Sequence, residues 1–298
     1  MHLPPIARLI TALSPVDTNS AFSPYAPPSH ISRDSSPVQN FIENILVPLH
    51  LTVYQMEDIS GHLHRIRLVR LSNGSSLVLK VSPPPVTPLL RHEGYSLDSE
   101  ALIFSLLAKS GLPVPRVIRH DARRIHIGSP FLLTTHLSGI SYANVRQYLT
   151  RSERAGIERQ LKSLTGVISQ HTSSIYGPYG PVSLVASNQG HKSWREAFVS
   201  MLESALMDGE DMMVSLPYSQ IREQLSRTKN ALDLIKEARL VVLGFGQPEN
   251  VLIDRRTNEV TGLLDFGRAI WGDWEMGDLE KRKGKKGLLY VIGEMPPC

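Results

Sequence analysis

Gln247-Pro248-Glu249-Asn250-Val251-Leu252-Ile253-Asp254 and, a little further on, Gly262-Leu263-Leu264-Asp265-Phe266-Gly267-Arg268-Ala269 decide how this chain is read. Val251–Ile253 and Val260–Leu264 are short apolar runs, and Arg255–Asn258 is the polar turn between them, so the spacing predicts a hairpin. Asn250 and Asp265 stand at its edges. Folded back, the hairpin would bring an amide oxygen and a carboxylate onto one magnesium ion, for which hard oxygen ligands are suited. Either residue alone would be an ordinary cap or turn.

Working towards the N-terminus, Leu240–Leu243 is another short apolar run. Ahead of it the apolar spacing becomes helical. One helix carries Ile221, Leu225, Leu232 and Ile235, and another covers about Trp194 to Met207. A third spans Thr150 to His171, with Thr150 and Glu153 as a capping box and Ile157, Leu161, Leu164 and Ile168 as the buried stripe. Earlier still, from about Leu51 to Thr135, strand patterns dominate. His64–Leu71, a turn at Ser72-Asn73-Gly74 and Ser76–Val81 form a hairpin, and Phe131–Thr135 is a further strand. Between them Leu97–Ser110 is helical, with Leu97, Ala101, Phe104 and Ala108 on one face and Gly111 then Pro113 closing it.

Lys80 ends the run Leu77-Val78-Leu79, so a strand would fix where its ammonium points, and Glu100 on the following helix could pair with it. Ser60, Gly61 and His62 lie in a turn ahead of the hairpin, where small residues would let backbone N–H groups approach an anion. Residues 1–38, rich in Pro and Ser, read as a disordered leader.

The chain has 298 residues, 41% hydrophobic and 20% charged, with a formal charge of +4. This is the composition of a soluble globular protein. Much of the positive excess sits in the run Lys281–Lys286, which reads as a solvated, disordered tail rather than a nucleic-acid patch. The one cysteine, Cys298, excludes an internal disulfide and a Cys-based zinc site, and fits the cytoplasm. No apolar run is long enough to span a membrane. The expectation is therefore no nucleic acid and no membrane as partners.

The order of Lys80, Glu100, Gly111-Leu112-Pro113-Val114-Pro115, Pro248-Glu249-Asn250-Val251-Leu252 and Asp265-Phe266-Gly267-Arg268-Ala269 resembles the aminoglycoside phosphotransferase and choline kinase family. The resemblance covers roughly Val53 to Leu279. It implies an α+β, two-lobed, protein-kinase-like fold. Residues 39–137 would be a small antiparallel-sheet N-lobe, residues 138–280 a mainly helical C-lobe, and residues 281–298 a tail. It also implies ATP-dependent phosphoryl transfer to the hydroxyl of a small molecule. By that resemblance Lys80 contacts the ATP phosphates with Glu100 as its partner, Thr134, Thr135, His136 and Leu137 form the hinge against adenine, and Asn250 and Asp265 hold Mg2+. Asp273 and Asp278 resemble the carboxylates that support the loop after the metal site.

Two departures stand against full activity. The family's catalytic loop has an Asp five residues before the Asn and a His seven before it, and these positions are Phe245 and Leu243 here. Arg239–Pro248 holds no Asp, Glu or His, so no catalytic base is assigned. The family also continues with helices after the Asp278 position, whereas this chain soon stops, so the C-lobe reads as shortened. The readings left open are an impaired kinase, a catalytically inactive nucleotide-binding or scaffolding pseudokinase, and a truncated or misread gene product.

Overall fold

A computed structural model of the chain describes residues 37–59, 61, 63–183 and 190–277. These form two compact units: residues 37–87 with 115–138, and residues 88–114 with 139–277. Asp278 and the tail, 281–298, lie outside the described residues, as does the leader up to residue 36. Among the described residues no helix is long and apolar enough to cross a membrane.

The first unit is a five-stranded antiparallel sheet with one helix. Its strands are β1 (Val53–Ile59), β2 (Arg65–Leu71), β3 (Ser76–Val81), β4 (Val117–Asp121) and β5 (Phe131–Thr135), in the order β1-β2-β3-β5-β4. The β2–β3 turn forms as its residues demand. Gly74 takes the left-handed φ of +83°, and the Asn73 side chain accepts the Ser75 N–H at 3.0 Å. Helix α1 (Pro37–Leu46) begins inside the stretch expected as leader, with proline at its first turn, where the missing N–H costs nothing. It buries Ile42 and Leu46 among Val69, Leu71, Leu77, Leu79 and Phe131, which makes this lobe's core.

The second unit is helical with two small sheets threaded through it. Its helices are α2 (Ser96–Leu107), α3 (Tyr142–Val145), α4 (Arg151–Ile168), α5 (Tyr179–Ser183), α6 (Trp194–Asp211) and α7 (Tyr218–Thr228). One sheet runs β11 (Val260–Leu263), β10 (Val251–Ile253), β6 (Ile140–Ser141). The other runs β7 (Thr172–Ser173), β9 (Ala238–Val242), β12 (Ala269–Gly272), β8 (Gly177–Pro178). Residues 88–114, expected with the first lobe, group with this unit. Helix α2 packs there with almost no clearance, since a Cβ on Gly180 would lie 2.5 Å from Ser99 Oγ and one on Gly267 would lie 3.1 Å from Ser96 Cβ. The expected helix through Ile235 ends at Thr228, whose hydroxyl bonds back to the Gln224 carbonyl at 2.9 Å. The chain then tightens into a 3-10 turn, Lys229–Leu234.

Helix α4 braces the β10–β11 hairpin. The capping box is present: Thr150 Oγ1 accepts from the Glu153 N–H at 3.2 Å, and Glu153 Oε2 accepts from the Thr150 N–H at 2.7 Å. The other Glu153 oxygen accepts from Asn258 Nδ2 at 3.0 Å, in the hairpin turn. Gln160, two turns along, takes the Val260 N–H at 2.9 Å and donates to the Asn258 carbonyl at 3.0 Å. The Thr150 backbone N–H, then its hydroxyl, then Asn258 hold the Glu153 carboxyl down to about 2. A carboxyl depressed in the folded state stabilises above its unfolded value of 4.5 and loses that contribution as pH falls towards 2. Glu153→Ala is accordingly expected to lower Tm at pH 7, and the gap between variant and wild type should close in melts run down through pH 4 to 2. A gap independent of pH would reject the brace.

Candidate active site

After β9 the chain passes through Leu243–Gln247, a tight strap with two left-handed glycines, Gly244 at φ +82° and Gly246 at φ +74°. The left-handed φ at each is what asks for glycine, since the atoms nearest a Cβ on Gly244 are the movable tips of Arg268 and Gln247. The Leu243 N–H donates to the Arg268 carbonyl at 3.1 Å, and Ala269 pairs with Val242, which ties the strap to the segment after β11. The Leu264 N–H donates to the Asn250 carbonyl at 2.8 Å. These main-chain bonds put the two polar residues side by side, with Asn250 Nδ2 3.3 Å from Asp265 Oδ2.

Asp265 is exposed and holds φ +61°, a left-handed conformation that aspartate tolerates better than most residues. The next residue turns the other way: Phe266 is fully buried, its ring 5.3 Å from Phe104 of α2 and 6.3 Å from Phe245. That inward anchor leaves the Asp265 carboxylate outward beside the Asn250 amide. The donor set suits Mg2+, which takes one or two protein oxygens and completes its shell from water or phosphate. No group of three or more His, Cys, Asp or Glu side chains converges on a metal position among the described residues.

Phe245 is 6% exposed. Its ring meets Phe266 nearly edge-on, at 77°, and lines a small void with Thr165, Ile168, Leu240, Val241 and Trp274. It therefore fills the interior beneath the strap. Leu243 is half-buried, and between it and Pro248 there is no group that could take a proton.

The other site residues sit as follows. Lys80 is half-buried on β3, opposite Ile66 on β2 and Leu132 on β5. Glu100 is buried at 2% exposure on α2. Thr134 and Thr135 end β5 with buried side chains engaged by the chain itself, Thr135 Oγ1 accepting the Arg116 N–H at 3.0 Å. His136 and Leu137 are half-exposed, and burial, helped by the nearby Arg70 charge, pushes the His136 imidazole pKa down. Of the anion-turn residues, only Gly61 is described. A Cβ there would lie 2.4 Å from the His64 carbonyl oxygen, which explains the glycine without a ligand. Asp273 Oδ1 accepts the Glu275 N–H at 3.0 Å and caps the 3-10 turn Trp274–Gly277.

Sequence reasoning missed the edge-to-face cluster of Phe104, Phe266 and Phe245, and the α4 brace. The repeated glycine around Phe245 was the available signal for a strap that takes left-handed backbone on both sides of the ring.

The chain matches the phosphotransferase enzyme family over residues 57–276. It is 27% identical over 196 residues to an aminoglycoside 3'-phosphotransferase of Streptomyces ribosidificus, a match covering 66% of this chain and 66% of that protein, just under two thirds of its length. In fold it is similar to a thermostable mutant of the aminoglycoside phosphotransferase APH(4)-Ia in ternary complex with ADP and hygromycin B. The TM-score is 0.57 at 18% identity, over 80% of this chain and 74% of that one. It is also similar to an aminoglycoside phosphotransferase in complex with GDP and kanamycin, with a TM-score of 0.52 at 16% identity, over 86% of this chain and 83% of that one.

Proposed function

Because the chain belongs to the phosphotransferase enzyme family, we propose that it binds a purine nucleoside triphosphate with Mg2+ on a scaffold for phosphoryl transfer to a small-molecule hydroxyl, and that transfer itself is strongly reduced. The observation that carries this reading is the contrast within one loop. Asn250 and Asp265 stand together at 3.3 Å, while the position five before Asn250 holds a buried phenyl ring. Mg2+ would be held by these two residues and would supply charge neutralisation at the phosphates. Lys80 would add a positive charge to the same phosphates, with Glu100 fixing where that charge lies.

What is missing is the group that orients an acceptor hydroxyl and takes its proton. Loss of a general base typically costs about two to four powers of ten in rate. Phosphoryl transfer relies mainly on positioning and charge, so slow residual turnover fits the proposal better than none. A binding role without catalysis is the second reading, and the buried Phe245 favours it. Relatives with ADP and GDP make adenine and guanine nucleotides both worth testing, and relatives with hygromycin B and kanamycin make polyhydroxylated amines the first acceptors to try. The lone cysteine favours a reducing compartment such as the cytosol.

A ligand that binds only the native state raises Tm. Mg-ATP or Mg-GTP is therefore expected to raise the Tm of the full chain, the nucleotide without Mg2+ much less. Asp265→Ala should abolish the shift, and Lys80→Ala and Glu100→Gln should each reduce it. No shift with either nucleotide at millimolar concentration would overturn the nucleotide-binding proposal.

A further inference from the structure

The first unit handles its charges unevenly. Its described residues hold eight Lys and Arg against four Asp and Glu. On β1 and β2 the arginines are matched: Arg65 and Arg67 bond Asp58 at 2.9 and 2.8 Å, and Arg70 bonds Glu57 at 3.1 Å. Just before β4, on it and in the turn after it, Arg116, Arg119, Arg123 and Arg124 are all exposed and none has a carboxylate partner among the described residues. Arg119 reaches only His126, at 3.4 Å. The one acid nearby, Asp121, is 8% exposed and engaged by the N–H groups of Arg123 and His126. Glu43, the last acid of the unit, is engaged by Gln39 and the Val53 N–H.

A second, independent observation concerns the backbone. β4 is a margin strand, and among the described residues it pairs with β5 alone. Its other side offers a row of N–H and C=O groups to an added strand. Arginine forks recognise carboxylates bidentately and stay charged at all relevant pH values. A margin strand with one arginine on it and three just beyond its ends, its own acid Asp121 already engaged by backbone N–H groups, therefore suits an extended chain that carries acids. The geometry points to β4 and its following turn as the docking surface for an acidic, extended peptide segment of a partner protein, which would lengthen the sheet by one strand. Single-stranded nucleic acid fits less well because it needs aromatic platforms for its bases. The aromatic ring near the patch, Phe41, is stacked under His126 at 4.6 Å, and exposed Tyr54 belongs to β1 at the opposite margin. An anionic lipid surface would ask for an apolar tip, and Ile125 alone supplies it.

Fluorescence anisotropy of the full chain with a short fluorescein-labelled peptide of alternating Glu and Val tests this directly. The peptide is expected to bind, and Arg116→Ser, Arg119→Ser, Arg123→Ser and Arg124→Ser together should weaken it at least about tenfold, as loss of several charge-assisted contacts implies. These four side chains are exposed, and circular dichroism of the variant checks its fold. A peptide of equal charge with proline in place of valine cannot donate its full set of strand hydrogen bonds and should also bind at least about tenfold more weakly. No binding of the Glu-Val peptide, equal binding of the proline peptide, or tighter binding of an oligouridine or of phosphatidylserine vesicles would each overturn the proposal.

Discussion

Phe245→Ala is expected to destabilise the chain by about 3 to 5 kcal/mol, the usual cost of emptying a buried phenylalanine position, and to leave the Mg-nucleotide thermal shift in place. The ring is 6% exposed and rests edge-on against Phe266, itself fully buried. Gly244 and Gly246 on either side have no side chains to fill the gap. Denaturant melts of the second unit measure the loss. A change within about 0.5 kcal/mol, as at an unconstrained surface site, would show that the ring is not seated in the interior. Abolition of the nucleotide shift in a folded Phe245→Ala would show instead that the ring serves the site.

The same burial governs the effect on chemistry. Phe245→Asp with Leu243→His would supply a carboxylate and an imidazole at those positions, and Mg-nucleotide hydrolysis should rise by about a power of ten or more if the base is the missing part. A carboxylate, unlike the ring, is costly to leave in that apolar interior, so it gains by turning outward to solvent. The double variant is expected to melt well below wild type and must be assayed while folded, with bound nucleotide supporting it. A folded, nucleotide-binding double variant no faster than wild type would show that the strap cannot present a base at this position, and that more than one residue separates this chain from an active enzyme.

Much of this was legible in the residues. The β2–β3 hairpin follows from Asn73 and Gly74, the capping box from Thr150 and Glu153, and the Asn250–Asp265 juxtaposition from two apolar runs around a polar turn. Local chemistry decides each of these. The short strands β7, β8 and β12 were not legible, since two to four residues carry no period and exist only because neighbours pair with them. The grouping of α2 with the second unit depends on contacts with Gly180 and Gly267, far along the chain. Phe245 was visible as a departure, but a phenylalanine between two glycines can face either side. The edge-to-face Phe104–Phe266–Phe245 cluster, which selects the inward side, is a product of tertiary packing.

The joint claim, that the nucleotide site persists while the base is gone, is tested most directly by the turnover of Mg-ATP and Mg-GTP by the wild-type full chain, with water and with polyhydroxylated amines as acceptors, in a preparation that shows the Mg-nucleotide thermal shift. The account predicts turnover at least about a hundredfold below the roughly 1 to 100 per second typical of kinases. Turnover within that typical range would contradict it and require a proton acceptor other than the residue at position 245.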